Sequence, residues 1–196
     1  MGKFITVAIT PEYPVPGEAN TVTTLLDSGI DYVHLRHPDA IEAEMRQLIE
    51  AIPGRLHSRL RLHSHFALVD AYGLAGAHLN SRNPSYTGSH GTVTRSCHSL
   101  AEVADADKFE YVTLSPVFDS ISKQGYNAAI SLADFAKMQP PTRVIALGGV
   151  TPDSFAALHY AGFAGAAMLG YIWGAKSASE LAEKLKTIKA KSCFNS

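Results

Sequence analysis

Arg143-Val-Ile-Ala-Leu-Gly-Gly-Val-Thr-Pro-Asp-Ser154 is the stretch on which the fold turns. Arg143 to Leu147 is a short β-branched apolar run, the composition of a strand covered on both faces in a parallel sheet. Gly148 and Gly149 remove Cβ atoms where the backbone must turn sharply or approach a ligand. Thr151 and Pro152 then supply a predicted N-cap and a proline at the first helical position. Strand, two glycines and helix start together aim backbone N–H groups and a positive helix end at one spot, which suits a phosphate. The same residues also make a plain strand-to-helix turn. Their surroundings decide between the two.

Outward from this unit, the pattern repeats. Strands are predicted over Phe4–Thr10, Tyr32–Arg36, Leu60–Ser64, Gly76–Asn80, Thr92–Cys97, Tyr111–Ser115, Arg143–Leu147 and Ala166–Ile172. Helical patterns fall between most of them, at Asn20–Ser28, Ile41–Ile52, Phe66–Tyr72, Ser99–Ala106, Ser131–Met138 and Pro152–Tyr160, and a last one covers Ala178–Lys189. Asn83–Gly91 has no period and reads as a loop where a helix would be expected. Strands alternating with helices mean βα units on a parallel sheet. Eight strands favour an α/β fold of the closed kind, a single small (β/α)8 TIM barrel occupying residues 1–196, without a linker or second domain. In that fold ligands bind at the C-terminal ends of the strands. Gly148–Gly149 after the seventh strand and Leu169–Gly170 within the eighth fall where such barrels bind phosphate.

Composition narrows the partners. With 46% hydrophobic and 18% charged residues the chain is built like an ordinary globular protein. A net charge of −1 gives no general attraction to nucleic acid or to an anionic membrane, so neither is an expected partner. No apolar run is long enough to span a bilayer, and Pro11, Pro14 and Pro16 soon follow the apolar Phe4–Ile9, unlike a signal peptide. Cys97 and Cys193 imply neither a disulfide framework nor a metal spacing. A cytoplasmic location is expected.

Strand alternation selects the side chains that face the pocket. His34 and Arg36 share a face of the second strand, and Arg61 and His63 a face of the third. Lys123, flanked by Ser120 and Ser122, lies in the loop after the sixth. This set is cationic and rich in hydroxyls, with almost no carboxylate, and so suits a phosphorylated ligand better than a Mg²⁺ ion. A barrel histidine serves equally well as a hydrogen-bonded core residue. His37 and His65, one position off, belong to the rim or exterior. Zinc held by His34, His63 and His78 is conceivable, but they come from three separate strands and show no zinc spacing, so no metal ligand is predicted.

Six short motifs in order resemble the thiamine phosphate synthase/TenI family. His34-Leu-Arg36 resembles its Q-x-R-x-K, Gly76-Ala-His-Leu79 its G-V-H-L, and Ser96-Cys-His98 its S-x-H. Tyr111–Phe118 with Ser120-Ile-Ser-Lys123 resembles Y-V-x-x-G-P-V-F with T-x-T-K. Ile145–Val150 resembles A-I-G-G-I, and Gly165–Ile172 resembles G-V-A-V-I-S-A-I. The resemblance implies a (β/α)8 barrel holding thiazole phosphate or thiamine phosphate in its mouth. It also implies Ser96, Ser120, Ser122, Gly148, Gly149, Leu169 and Gly170 as the phosphate site, and a homo-oligomer would be in keeping with the family.

The departures cluster in the other half of the site. The synthase joins a pyrimidine pyrophosphate to thiazole phosphate using Mg²⁺. Its strand-two lysine corresponds to Pro38, its Asn-Asp pair to His63-Ser64, and its acidic Mg²⁺ ligand to Asn83. Mg²⁺ is thus the cofactor the family implies, and its acidic ligands are missing, so no cofactor is predicted. The tautomerase branch's catalytic histidine corresponds to Pro116. The expected function is a diverged synthase, with Arg36 and Lys123 neutralising the departing pyrophosphate and His63 and Arg82 replacing metal charge. The alternatives are a thiazole tautomerase, with His34 or His63 moving the proton, and a non-catalytic binder or regulator that keeps the phosphate site.

Overall fold

The short β-branched runs pair in sequence order and close on themselves. In the computed structural model, which describes residues 2–118 and 130–194, the strands are β1 (Ile5–Ile9), β2 (Tyr32–Leu35), β3 (Leu60–Leu62), β4 (Gly76–Leu79), β5 (Thr92–Cys97), β6 (Tyr111–Leu114), β7 (Arg143–Ala146) and β8 (Gly165–Met168). All pairs are parallel, and β1 meets both β2 and β8, so the sheet is a closed barrel. The helices are α1 (Glu18–Asp27), α2 (Glu42–Glu50), α3 (Ala67–Tyr72), α4 (Leu100–Ala104), α5 (Leu132–Ala136), α6 (Phe155–Tyr160), α7 (Gly170–Trp173) and α8 (Ala178–Lys191). No helix among the described residues is long and apolar enough to cross a membrane.

Inward and outward faces divide the core in two. Val33, Leu35, Leu60, Leu62, Ala77, Val112, Leu114 and Val144 pack outward against helix residues such as Leu25, Ile49, Leu68 and Phe155. The second cluster fills the barrel: Ile5, Val7 and Ile9 from β1, Tyr111 from β6, Ile145 from β7 and Ala167 from β8. The interior is therefore unequal. Around β1, β7 and β8 it is apolar, whereas β2 to β6 contribute buried His34, Arg61, His63, His78, Thr94 and Thr113.

Several expectations at the element scale change. The expected strand Ala166–Ile172 ends at Met168; the Leu169 carbonyl accepts bonds from Ile172 N (3.1 Å) and Trp173 N (3.0 Å), which turns the chain into α7. A continuous apolar run suits a buried strand and a buried helix equally, so its sequence did not mark the change. Leu169–Gly170 thus begins a short helix instead of lying in a strand. Thr151 makes no side-chain cap, and a 3-10 turn over Pro152–Ser154 precedes α6. Asn83–Gly91 contains no helix, as expected, and the loop begins already at Asn80, which was expected in the fourth strand. Asp70 holds that loop instead, accepting from Ser89 N (3.0 Å) and His90 N (2.8 Å).

Candidate functional site

The polar half of the interior is built from one or two inward residues per strand. His34 Nδ1 lies 3.0 Å from His63 Nε2, and His34 Nε2 lies 2.6 Å from the Tyr111 hydroxyl. His78 Nδ1 meets Thr94 Oγ1 at 2.8 Å, and its Nε2 meets Ser96 Oγ at 2.9 Å. Thr94 gives its own proton to Ala77 O (3.2 Å), so it accepts from His78 Nδ1–H. That fixes the His78 tautomer, leaves the lone pair on Nε2 and makes Ser96 the donor there. The rings of His63 and His78 stack with centroids 4.3 Å apart.

Burial keeps these imidazoles neutral. Loss of hydration pushes His78 down to about 3, with the Arg61 charge adding to it. Desolvation likewise holds His34 well below the ordinary histidine range, helped by His78, His63 and Arg61. His63 is lowered by desolvation, then by His78 and Arg36. His34 is fully buried, while His63 keeps 8% of its surface exposed, so His63 is the member that borders the mouth. A neutral His63 does not supply the positive charge expected of it as a replacement for metal.

Arg61 faces inward as predicted but does not reach the mouth. Its guanidinium runs toward the N-terminal ends of the strands, donating to Thr92 O (3.0 Å) and Thr92 Oγ1 (2.7 Å) and pairing with Glu110. It also lies 5.1 Å from the ring centroids of both Tyr32 and Tyr111. Alternation specifies the face of a strand but not the height along the barrel to which a long side chain extends. His37 also departs from its expected rim position: it is 3% exposed and bonds buried Glu18 at 2.8 Å. His65 is half-buried and bonds Ala40 O at 2.7 Å.

The rim carries two arginines, each paired with a carboxylate. Arg36 follows β2, its N–H donating to Thr10 Oγ1 (2.8 Å) and its half-exposed guanidinium lying 3.2 Å from Glu12. Arg82 is exposed on the neighbouring rim, bonding Asp39 (3.1 Å) and the carbonyl of Pro38. Gly148 (φ 91°) and Gly149 (φ 63°) turn the chain after β7. A Cβ on Gly148 would lie 2.9 Å from Pro116 Cα, so the turn requires glycine for packing whether or not a ligand is bound. A Cβ on Gly170 would meet nothing within 4 Å. Ser120, Ser122 and Lys123 lie outside the described residues.

The Mg²⁺ position of the family does not fit this chain. Where its ligands are expected stand His63, Ser64 and Asn83, and the Asn83 amide donates to His63 O at 2.9 Å, beside the same contact from Asn80. A carboxylate could not make that bond, and a hard cation would find only neutral groups. Sequence reasoning overlooked Tyr111, Thr94 and Thr113. The alternation of β6 and β5 carries the signal for all three, since each shares an inward face with a chosen or apolar interior residue.

Fold and site together define a small (β/α)8 barrel with its polar chemistry gathered on one side of the interior. Residues 6–172 match the family described as thiamine monophosphate synthase (TMP-TENI), and the chain belongs to it. That membership places the protein in thiamine biosynthesis. It is 30% identical to the thiamine-phosphate synthase of Cronobacter sakazakii over 154 residues, covering 71% of this chain and 73% of that one. Identity to the Limosilactobacillus fermentum thiamine-phosphate synthase is 34%, over 46% of this chain and only 44% of that relative. Among solved structures, the thiamine phosphate pyrophosphorylase of Bacteroides thetaiotaomicron superposes with a TM-score of 0.84 at 28% identity, covering 96% of this chain and 98% of that one.

Proposed function

We propose that the protein is a diverged thiamine-phosphate synthase that binds thiazole phosphate in the barrel mouth and joins it to a pyrimidine pyrophosphate without the usual carboxylate-held Mg²⁺. The observation that carries this reading is a pair of rim arginines: Arg36 after β2 and Arg82 after β4 flank the positions where the family's metal carboxylates are replaced, and their exposed partners Glu12 and Asp39 can yield them to a pyrophosphate. In the reaction a C–N bond forms to the thiazole nitrogen while the C–O bond to pyrophosphate breaks. Arg36, Arg82 and, by its family correspondence, Lys123 take up the charge that develops on the leaving group. The glycine turn at Gly148–Gly149 and the start of α7 at Leu169–Gly170 offer backbone N–H groups to the thiazole phosphate, and Ser96, Ser120 and Ser122 join them by their family correspondence.

A second reading rests on the neutral His34–His63 pair. With His63 at the mouth and His34 behind it at 3.0 Å, the pair suits proton transfer on thiazole phosphate. In that case His63 touches substrate and His34, fully buried, is a positioning residue.

Purified full-length protein with both synthase substrates, with Mg²⁺ and with chelator, tests the first reading. Thiamine phosphate formed at comparable rates in both arms is expected, and Arg36→Ala is expected to lower kcat/KM at least about tenfold. No product at any metal level sinks the synthase assignment. Thiazole phosphate that raises the melting temperature without turnover identifies a binder. Absence of both product and shift removes the phosphate site itself.

A further inference from the structure

The three barrel histidines are left over by the synthase chemistry, and they converge. One ring nitrogen from each of His34, His63 and His78 lies within 4.8 Å of the others, and all three residues are buried. Nitrogens that share a tetrahedral ion at about 2.0–2.1 Å stand about 3.4 Å apart. The His34–His63 contact of 3.0 Å is a ring-to-ring hydrogen bond a little shorter than that span; moving its proton to the far nitrogen of one ring and turning His78 Nε2 away from Ser96 Oγ lets the three lone pairs converge. We propose that this trio is a binding site for a divalent transition ion of the Zn²⁺ type, held in the interior of the barrel beneath the mouth.

The outer contacts favour it. The ring nitrogen of His34 opposite His63 is held by Tyr111, and that of His78 opposite its lone pair by Thr94. Hydroxyl partners of this kind orient imidazoles toward a metal and fix their tautomers. The trio is neutral because of its burial, as imidazole ligands must be. An independent observation comes from β6: Thr113 Oγ1 is buried without a partner. Thr113 shares the inward face with Tyr111 and is level with Ser96 on β5. Three protein ligands leave one position for water, and a metal-bound water at this level would satisfy the Thr113 hydroxyl. The Arg61 guanidinium deeper in the barrel is matched by Glu110, which limits its repulsion of a dication. Imidazole-only donors select zinc, cobalt or nickel over magnesium. The inference does not depend on the phosphate reading.

Titrating the full chain with Co²⁺ tests it directly. We expect one ion per chain, the intense visible bands of a tetrahedral site, their loss on adding Zn²⁺, and X-ray absorption of the zinc form showing three imidazoles. His63→Gln, at the least buried ligand, should abolish the bands, and Tyr111→Phe should weaken binding about tenfold to a hundredfold. Wild-type protein that gives no bands and no rise in melting temperature with Zn²⁺ overturns the proposal, and this arm needs no variant to fold. Equal binding by His63→Gln also overturns it, because the ion would then sit on surface groups.

Discussion

At the scale of the residue, the interior histidines show how far a sequence can be read. Alternation along β2 and β3 placed His34 and His63 inward, and the structure keeps them there. Their meeting was not legible, because it depends on barrel closure, which brings side chains from distant strands to one height. The same limit applies to Arg61, whose face was readable and whose direction along the axis was not. Tyr111 illustrates the energetics of such a site. Tyr111→Phe leaves His34 Nε2 buried without its 2.6 Å partner. It should cost about 1–3 kcal/mol, seen as a lower urea midpoint for the metal-free protein. An unchanged midpoint would mean that water replaces the hydroxyl.

At the scale of the element, turns were more legible than strand ends. The paired glycines after β7 and the aperiodic loop after β4 were readable because glycine and aperiodicity are local signals. The end of β8 was not, since its apolar run continues unbroken into α7. Gly148 offers a sharp test of the first. Its φ of 91° and the 2.9 Å approach to Pro116 Cα leave no room for a side chain. Gly148→Ala should destabilise by about 1–3 kcal/mol, measured by chemical denaturation. Val117 N and Phe118 N donate to Leu147 O and Gly148 O, so the substitution also disturbs the chain leaving β6.

At the scale of the whole molecule, the polar half of the barrel makes stability depend on pH. Histidines with folded pKa values depressed below about 6.5 contribute fully above that value. Below it the unfolded chain binds protons that the folded chain excludes, so stability falls as pH drops. Each such group removes up to about 1.4 kcal/mol per pH unit, until its folded pKa is reached. In the presence of chelator, the denaturation midpoint should therefore fall steadily from about pH 6.5 to about pH 4.5. A flat profile across that window would show that the trio is already charged in the folded state. The fold itself was legible, because eight apolar runs alternating with helical patterns allow few closures; the division of its interior into apolar and polar halves emerges only once the strands are in place. The Arg61 anchor has a further consequence. Because one buried guanidinium from β3 holds Thr92 at the start of β5 and Glu110 just before β6, neither β3, β5 nor β6 can peel away without disrupting it. Amide hydrogens of β3 and β4, lying between those ties, should exchange with solvent only when the whole barrel opens, while those of α7 and the Asn80–Gly91 loop exchange through local fluctuations.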